Sequence, residues 1–271
     1  MPRLAGRLAA APAELLTTDN LSIRFRGVRA LDSVSISVRT GGITALIGPN
    51  GAGKTTFFNC VTGLSQGAGR ITFAGENITT LPPQVRAHRG IARTFQTPAL
   101  VDGMTVLENV VLGAQSAGHR GLVSAIMRPP AARGSLRKAE EYAVELLARF
   151  GLTDLARQVI DPLPHGIRRR VEIVRALVGR PRLILLDEPA AGLEPAEALQ
   201  MCKTLGDCAE REGTTLLLVE HSVALVMEIA HTVLVLDAGR LVASGPAEQV
   251  RADPVVIAAY LGEEDAVKSR Q

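Results

Sequence analysis

Ile43-Thr44-Ala45-Leu46-Ile47 runs straight into Gly48-Pro49-Asn50-Gly51-Ala52-Gly53-Lys54-Thr55, a complete G-x-x-x-x-G-K-[ST] segment. The apolar, β-branched run follows the breaker Gly41-Gly42 and predicts a buried strand. The glycines let the backbone turn tightly and aim several N–H groups at one anion. A helix starting near Gly53 sets its N-terminal dipole beneath that anion. Lys54 is placed to reach the β- and γ-phosphates of a nucleotide and the Thr55 hydroxyl to ligate Mg²⁺, with Thr56 completing the phosphate-binding set. Of the 30 basic residues only Lys54, Lys138, Lys203 and Lys268 are lysine, so a chain that avoids lysine keeps one here.

Leu183-Ile184-Leu185-Leu186 predicts a second buried strand, with Asp187 at its carboxyl end. Ligands of open parallel sheets bind outside the carboxyl ends of the strands. Asp187 is therefore placed to hold Mg²⁺ through water, and Glu188 to orient or deprotonate a water attacking the γ-phosphate. A carboxylate pair that merely ends a strand is common; downstream of an intact phosphate loop it reads as ATP hydrolysis. The chain has no Asn-Lys-x-Asp segment that would read guanine, and no G-x-G-x-x-G after a strand that would hold a dinucleotide.

With these segments in this order the chain resembles the ATP-binding subunits of ABC transporters, over roughly residues 17 to 262. The resemblance implies an α/β fold: a P-loop NTPase core at 16–97 and 179–262 with an antiparallel β subdomain. A helical subdomain carrying the signature segment is inserted at 98–178, and flexible tails lie at 1–15 and 263–271. It also assigns roles position by position. Phe25 matches the aromatic that stacks on adenine, although a lone Phe on an early strand is more often core. Gln96, in Arg93-Thr94-Phe95-Gln96-Thr97, matches the glutamine that senses Mg²⁺ and moves with the transmembrane partner. His221, after the apolar run Thr215–Val219 and Glu220, matches the switch histidine that contacts the γ-phosphate. The catalytic set is then Glu188, His221 and Gln96, and the metal set Thr55, Gln96 and Asp187.

The family's signature, Leu-Ser-Gly-Gly-Gln, begins a helix presented to ATP held by the opposite subunit. Here it reads Leu163-Pro164-His165-Gly166-Ile167-Arg168-Arg169-Arg170, and only Leu163 and Gly166 match. Pro164 removes a serine hydroxyl and Ile167 an amide, leaving Gly166 for close backbone approach and the helix dipole behind it. The three arginines oppose that dipole; an anion nearby would explain them, and so would a solvated face. Ala190-Ala191-Gly192-Leu193-Glu194-Pro195 matches the dimer-contact loop, with Glu194 where Asp or Asn is commoner.

Ile91–Gln96, Met104–Val110, Arg168–Ile173, Pro189–Leu193 and Ala258–Glu263 look like the ATP-binding subunits of bacterial branched-chain amino-acid importers, and urea or short-amide importers share most of them. The implied partners are integral membrane permease subunits, a second, non-identical ATP-binding subunit and, indirectly, a periplasmic or extracellular substrate-binding protein. The implied place is the cytoplasmic face of the bacterial cell membrane. A third reading keeps the clamp but loses most hydrolysis through the degraded signature.

Composition narrows the rest. A net charge of +3 with its basic residues clustered only at Arg168–Arg170 argues against a nucleic-acid partner. No apolar run approaches the ~20 residues that span a bilayer, which predicts a soluble subunit. Cys60, Cys202 and Cys208 have neither disulfide nor zinc spacing. Leu136, Ala139, Ala143, Leu146, Leu147 and Phe150 recur at helical spacing, whereas Gly118–Ser135, rich in Gly, Pro and Arg, predicts an irregular excursion. A helix is expected near Pro195–Glu212, a strand at Thr214–Val219, and two strands around a tight turn at Val233–Val242.

Overall fold

The strands that carry the site are buried along their whole length because both of their faces are covered. The computed structural model describes residues 14–116, 130–251 and 253. Ten strands form two sheets. The first is antiparallel, in the order β2-β1-β4-β5, from β1 (Glu14–Phe25), β2 (Val28–Arg39), β4 (Ala68–Phe73) and β5 (Glu76–Asn77). The second runs β10-β9-β3-β8-β7-β6, from β3 (Ile43–Ile47), β6 (Ile91–Arg93), β7 (Leu183–Asp187), β8 (Thr215–Val219), β9 (Thr232–Asp237) and β10 (Arg240–Gly245). It is parallel except for β10.

Alternation along each strand divides the core in two. Ala45, Ile47, Ile184, Leu186, Leu216, Leu218, Val233 and Val235 face the helical side. Their neighbours Leu46, Leu183, Leu185, Leu217, Val219, Leu234 and Leu236 face α1 (Lys54–Thr62) and the antiparallel sheet. One cassette core is thus a parallel sheet sandwiched between a β layer and a helical layer.

The helical side is built from α3 (Val106–Ser116), α4 (Pro130–Arg149) and α5 (His165–Val178), with α6 (Pro195–Glu212), α7 (Val223–Ile229) and α8 (Ala247–Arg251). The short α2 (Pro83–His88) lies on the other side, where buried Arg86 donates to the carbonyls of Cys60 and Val61 and closes the end of α1. Thr105 and Glu108 cap α3 reciprocally: Thr105 N–H and Oγ1 both donate to Glu108 Oε2 at 2.8 Å, and Glu108 N–H donates to Thr105 Oγ1. α3 and α5 cross so closely that a Cβ on Gly113 would fall 1.9 Å from the Arg175 carbonyl oxygen.

Two expectations need correcting. Glu14 and Leu15 are not tail: β1 begins at Glu14, and Leu15 is buried because the strand's pairing with β2 and β4 carries it into the core. Residues 130–135 are not an irregular excursion but the first turns of α4, since proline is well suited to the first helical position and Ala131-Ala132 follow it. Ala143, Leu146, Leu147 and Phe150 are buried as their spacing predicts, while the side chain of Leu136 lies outside the described residues. The segment 258–263, the tail 263–271 and residues 1–13 also lie outside them.

Candidate active site

The loop Gly48–Gly53 links β3 to α1 as its glycines predict. Gly48, Gly51 and Gly53 all have positive φ, and two of them admit no side chain: a Cβ would meet the Leu236 carbonyl 2.0 Å from Gly48 and the Ala30 carbonyl 2.5 Å from Gly53. The loop is therefore moulded against β9 and β2. The β9–β10 turn braces it further, since Gly239 N–H donates to the Ala52 carbonyl. That turn, with Ala238 and Gly239 both at positive φ, has the type I′ form that suits a two-residue hairpin. Lys54 is buried; its Nζ donates to the carbonyls of Gly48 at 2.6 Å and Pro49 at 3.0 Å. Thr55 is exposed and Thr56 partly so in the first turn of α1.

Phe25 is 48% exposed, so it is not core. It ends β1 at a tight Arg26-Gly27 turn, and the returning β2 passes Ala30 and Leu31 beneath the phosphate loop. The hairpin that carries Phe25 thus meets the loop through Ala30 and Leu31.

Asp187 and Glu188 leave β7 at its carboxyl end. Asp187 is 3% exposed; its Oδ2 lies 3.4 Å from Arg93 Nη2, and Oδ1 is buried with no partner among the described residues. Burial pushes its carboxyl above the usual range, against the opposing pull of Arg93. An orphaned, desolvated carboxylate oxygen is the donor chemistry that suits a divalent cation. Among the described residues no cluster of three or more His, Cys, Asp or Glu side chains could hold a metal alone. A single buried carboxylate beside a phosphate-binding loop suits Mg²⁺, which keeps its waters and takes one or two carboxylates plus substrate phosphates.

Glu188 adopts φ 53°, a left-handed backbone that turns its side chain out of strand register. The turn brings three separately identified residues together. His221 Nε2 lies 2.8 Å from Glu188 Oε1, and Gln96 Nε2 donates to the same oxygen at 3.2 Å. With its proton on Nε2, His221 donates to this carboxylate. Glu188 Oε2 has no partner among the described residues and is the oxygen left for a water.

Four residues of the site escaped sequence reasoning. Arg93 stands between α1 and Asp187: Nη1 donates to Asn59 Oδ1 at 2.6 Å, and its guanidinium lies over the rings of Phe58 and Phe95. Glu220 is buried, pushed to a raised pKa by that burial, and accepts the Ala190 N–H at 2.8 Å, anchoring the start of the loop to α6. Arg169 and Glu172 are buried on α5 and face the segment around Gln96. The Arg168–Arg170 run is therefore not one solvated face: Arg168 pairs with Asp102, while Arg169 turns inward to Glu172, one turn along the helix. The i, i+3 spacing of Arg169 and Glu172 was the available signal.

Gly166 lies in the first turn of α5, behind Pro164, and no side chain caps that helix. A Cβ at Gly166 would meet only Leu193, at 3.4 Å, so the chain's own packing does not demand glycine there. A wider cleft of about 1110 Å³, lined by residues such as Arg39, Lys203, Glu228 and His231, opens at the amino edge of the parallel sheet. It lies away from the converging groups, at the edge that sheets of this kind do not use for ligands.

The chain is similar to proteins of known family along nearly its whole length. The ABC transporter family matches residues 31–191, and the branched-chain amino acid ATP-binding cassette transporter family matches residues 240–266. The chain is 40% identical over 250 residues to LivG of Salmonella typhimurium, a high-affinity branched-chain amino acid transport ATP-binding protein, covering 92% of this chain and 98% of that one. Identity and coverage are the same for BraF of Pseudomonas aeruginosa, of the same description. In three dimensions it resembles the ADP conformation of MJ1267, an ATP-binding cassette of an ABC transporter, with a TM-score of 0.78, 35% identity and coverage of 92% and 99%. A nucleotide-free cassette from an ABC transporter gives 0.77, 34%, 91% and 98%. Family match, relatives and structural likeness agree: this chain belongs to the ATP-binding cassettes of ABC transporters and is an ATP-hydrolysing transporter subunit.

Proposed function

We propose that the chain energises a bacterial importer for branched-chain amino acids, working with Mg²⁺ on the cytoplasmic face of the membrane. The convergence of Gln96 and His221 on one oxygen of Glu188, at the carboxyl edge of the sheet, carries the catalytic part of this reading. The cargo follows from the relatives' similarity along almost the whole chain. No helix of the described residues is long and apolar enough to cross a membrane, so the path for the cargo belongs to other subunits.

The backbone N–H groups of Gly48–Gly53 and Lys54 hold the ATP phosphates, and Phe25 stacks on the base. Thr55, Gln96 and Asp187 are the residues that would hold Mg²⁺, which when bound neutralises phosphate charge. Glu188 Oε2 orients the attacking water and draws off its proton, while His221 and Gln96 keep the carboxylate aimed through Oε1. Gly166 and the α5 dipole serve ATP held by a second cassette. Pro164 and Ile167 weaken that service, which favours a non-identical partner with an intact signature.

The permease reaches the cassette at a groove of about 440 Å³ between core and helical layer, lined by Leu64, Arg93, Phe95, Leu112, Gly113 and Arg175. Leu64 and Phe95 are exposed there, 52% and 40%, so the groove offers apolar surface to a cytoplasmic segment. The test is purification of the chain from membranes with whatever it holds, followed by cargo-stimulated ATPase assay and crosslinking from 98–112. Permease subunits, a second cassette and stimulation by leucine, isoleucine or valine are expected. Stimulation by urea or short amides instead corrects the cargo; binding of ATP without turnover in the full complex supports the clamp alone; crosslinks to no membrane protein refute the docking surface.

A further inference from the structure

The segment bearing Gln96 is gripped by the signature helix through a buried ion pair. Glu172 Oε1 accepts the N–H groups of Phe95 and Ala99, each at 3.3 Å, so one carboxylate fastens both ends of the Gln96 segment. Arg169 Nη1 donates to Glu172 Oε2 at 3.1 Å and also to the Phe95 carbonyl, which belongs to the peptide bond leading into Gln96. The plane of that peptide sets where the Gln96 side chain starts, and its amide ends on Glu188.

As structural glue the pair is poor. Both side chains are 3% exposed or less, and Arg169 Nε and Nη2 are buried with no partner among the described residues. Well-packed apolar residues of similar volume commonly serve stability as well or better than such a pair. What apolar residues cannot do is hold the N–H and the C=O of one residue at once. We infer that Arg169 and Glu172 are positioning residues that bind Gln96 to the signature helix, so that each chain's own ATP site follows the docking of its α5 on the ATP of the facing cassette. The inference rests on the proposed pairing of cassettes and adds a route between the two composite sites: α5, the Arg169–Glu172 pair, Phe95, Gln96, Glu188.

Glu172→Gln and Arg169→Lys, each in the assembled transporter, test it, with thermal melts to confirm folding. In Glu172→Gln the amides of residues 95–99 should exchange with deuterium at least tenfold faster. Affinity for a fluorescent ATP analogue should stay within twofold, kcat should fall at least tenfold at nearly constant KM, and the Hill coefficient for ATP should drop toward 1. Faster exchange with wild-type kcat and Hill coefficient would make the pair merely structural and overturn the inference. So would a kcat loss matched by an equal loss of ATP affinity. The wild-type complex gives an independent reading should either variant misfold: ATP should change deuterium uptake at 165–172 and at 95–99 together, and protection of the first without the second overturns the coupling. A wild-type complex that binds ATP without hydrolysing it removes only the turnover reading, because the paired exchange response still decides the coupling.

Discussion

Asp187→Asn separates what the fold needs from what the cation needs. Arg93 and Asp187 lie 3.4 Å apart and are almost wholly buried. At an effective dielectric near 20 two unit charges at that separation attract by about 5 kcal/mol, while desolvation costs several kcal/mol per ion. The raised pKa of Asp187 shows desolvation winning at this carboxylate. The substitution keeps the shape and leaves an oxygen to accept from Arg93, whose charge retains Asn59 and two aromatic faces. Nucleotide-free stability should therefore move by less than about 1.5 kcal/mol, or about 5 °C in Tm. The sign with pH follows from the raised value. The folded carboxyl keeps its proton to higher pH than the unfolded one, so its contribution is best below about pH 4 and is lost as pH rises through the folded pKa. D187N lacks that slope and gains on the wild type toward neutrality. ATP with Mg²⁺ at about 100 times Kd should add about 2.7 kcal/mol to the wild type. Thermal unfolding with ATP plus chelator, then ATP plus Mg²⁺, checks this: the Mg²⁺ increment should appear in the wild type and vanish in the variant. An equal increment in both, or a nucleotide-free loss above about 3 kcal/mol, would refute the reasoning.

Glu188→Gln should retain ATP affinity, lose at least about 100-fold in turnover and trap an ATP-dependent dimer visible by size exclusion; near wild-type turnover removes Glu188 from its role. Gly113→Ala should cost about 1–3 kcal/mol through overpacking, because its Cβ lands 1.9 Å from the Arg175 carbonyl, and an unchanged Tm would deny that contact. Burial pushes the Cys60 thiol up to about 11 and Cys202 to about 12. At pH 8 thiolate is then about one part in a thousand or less at either site, so native protein should resist alkylation there while unfolded protein labels at all three cysteines. Fast native labelling of Cys60 or Cys202 contradicts the burial.

Local rules carried the parts of the site that one strand and one turn build. Gly48–Thr55 and Asp187-Glu188 were readable because a buried strand, its exit and its first polar residues are adjacent in the chain. Gln96 and His221 needed a family resemblance, since nothing local says that residues 92 and 33 positions from or to Glu188 share its oxygen. Arg169 escaped because a basic run in a helix ordinarily faces water, whereas Glu172 one turn along and the crossing of α5 over the Gln96 segment together turn one of its members inward. Leu15 lies in the segment expected as a tail, whereas its fate is settled by two neighbouring strands. Residues 130–135 fall in a stretch whose Gly, Pro and Arg content predicts irregularity, yet they belong to α4.

Lys54 does not wait in solvent for a phosphate. Its ammonium already holds the Gly48 and Pro49 carbonyls, so a phosphate bound to Lys54 as proposed would trade with those bonds instead of adding new ones from nothing. On that proposed role the trade would lower affinity and give the lysine a place to return to when ADP departs. The loop is a latch that resets itself, which suits a subunit whose work is measured in repeated cycles of filling and emptying.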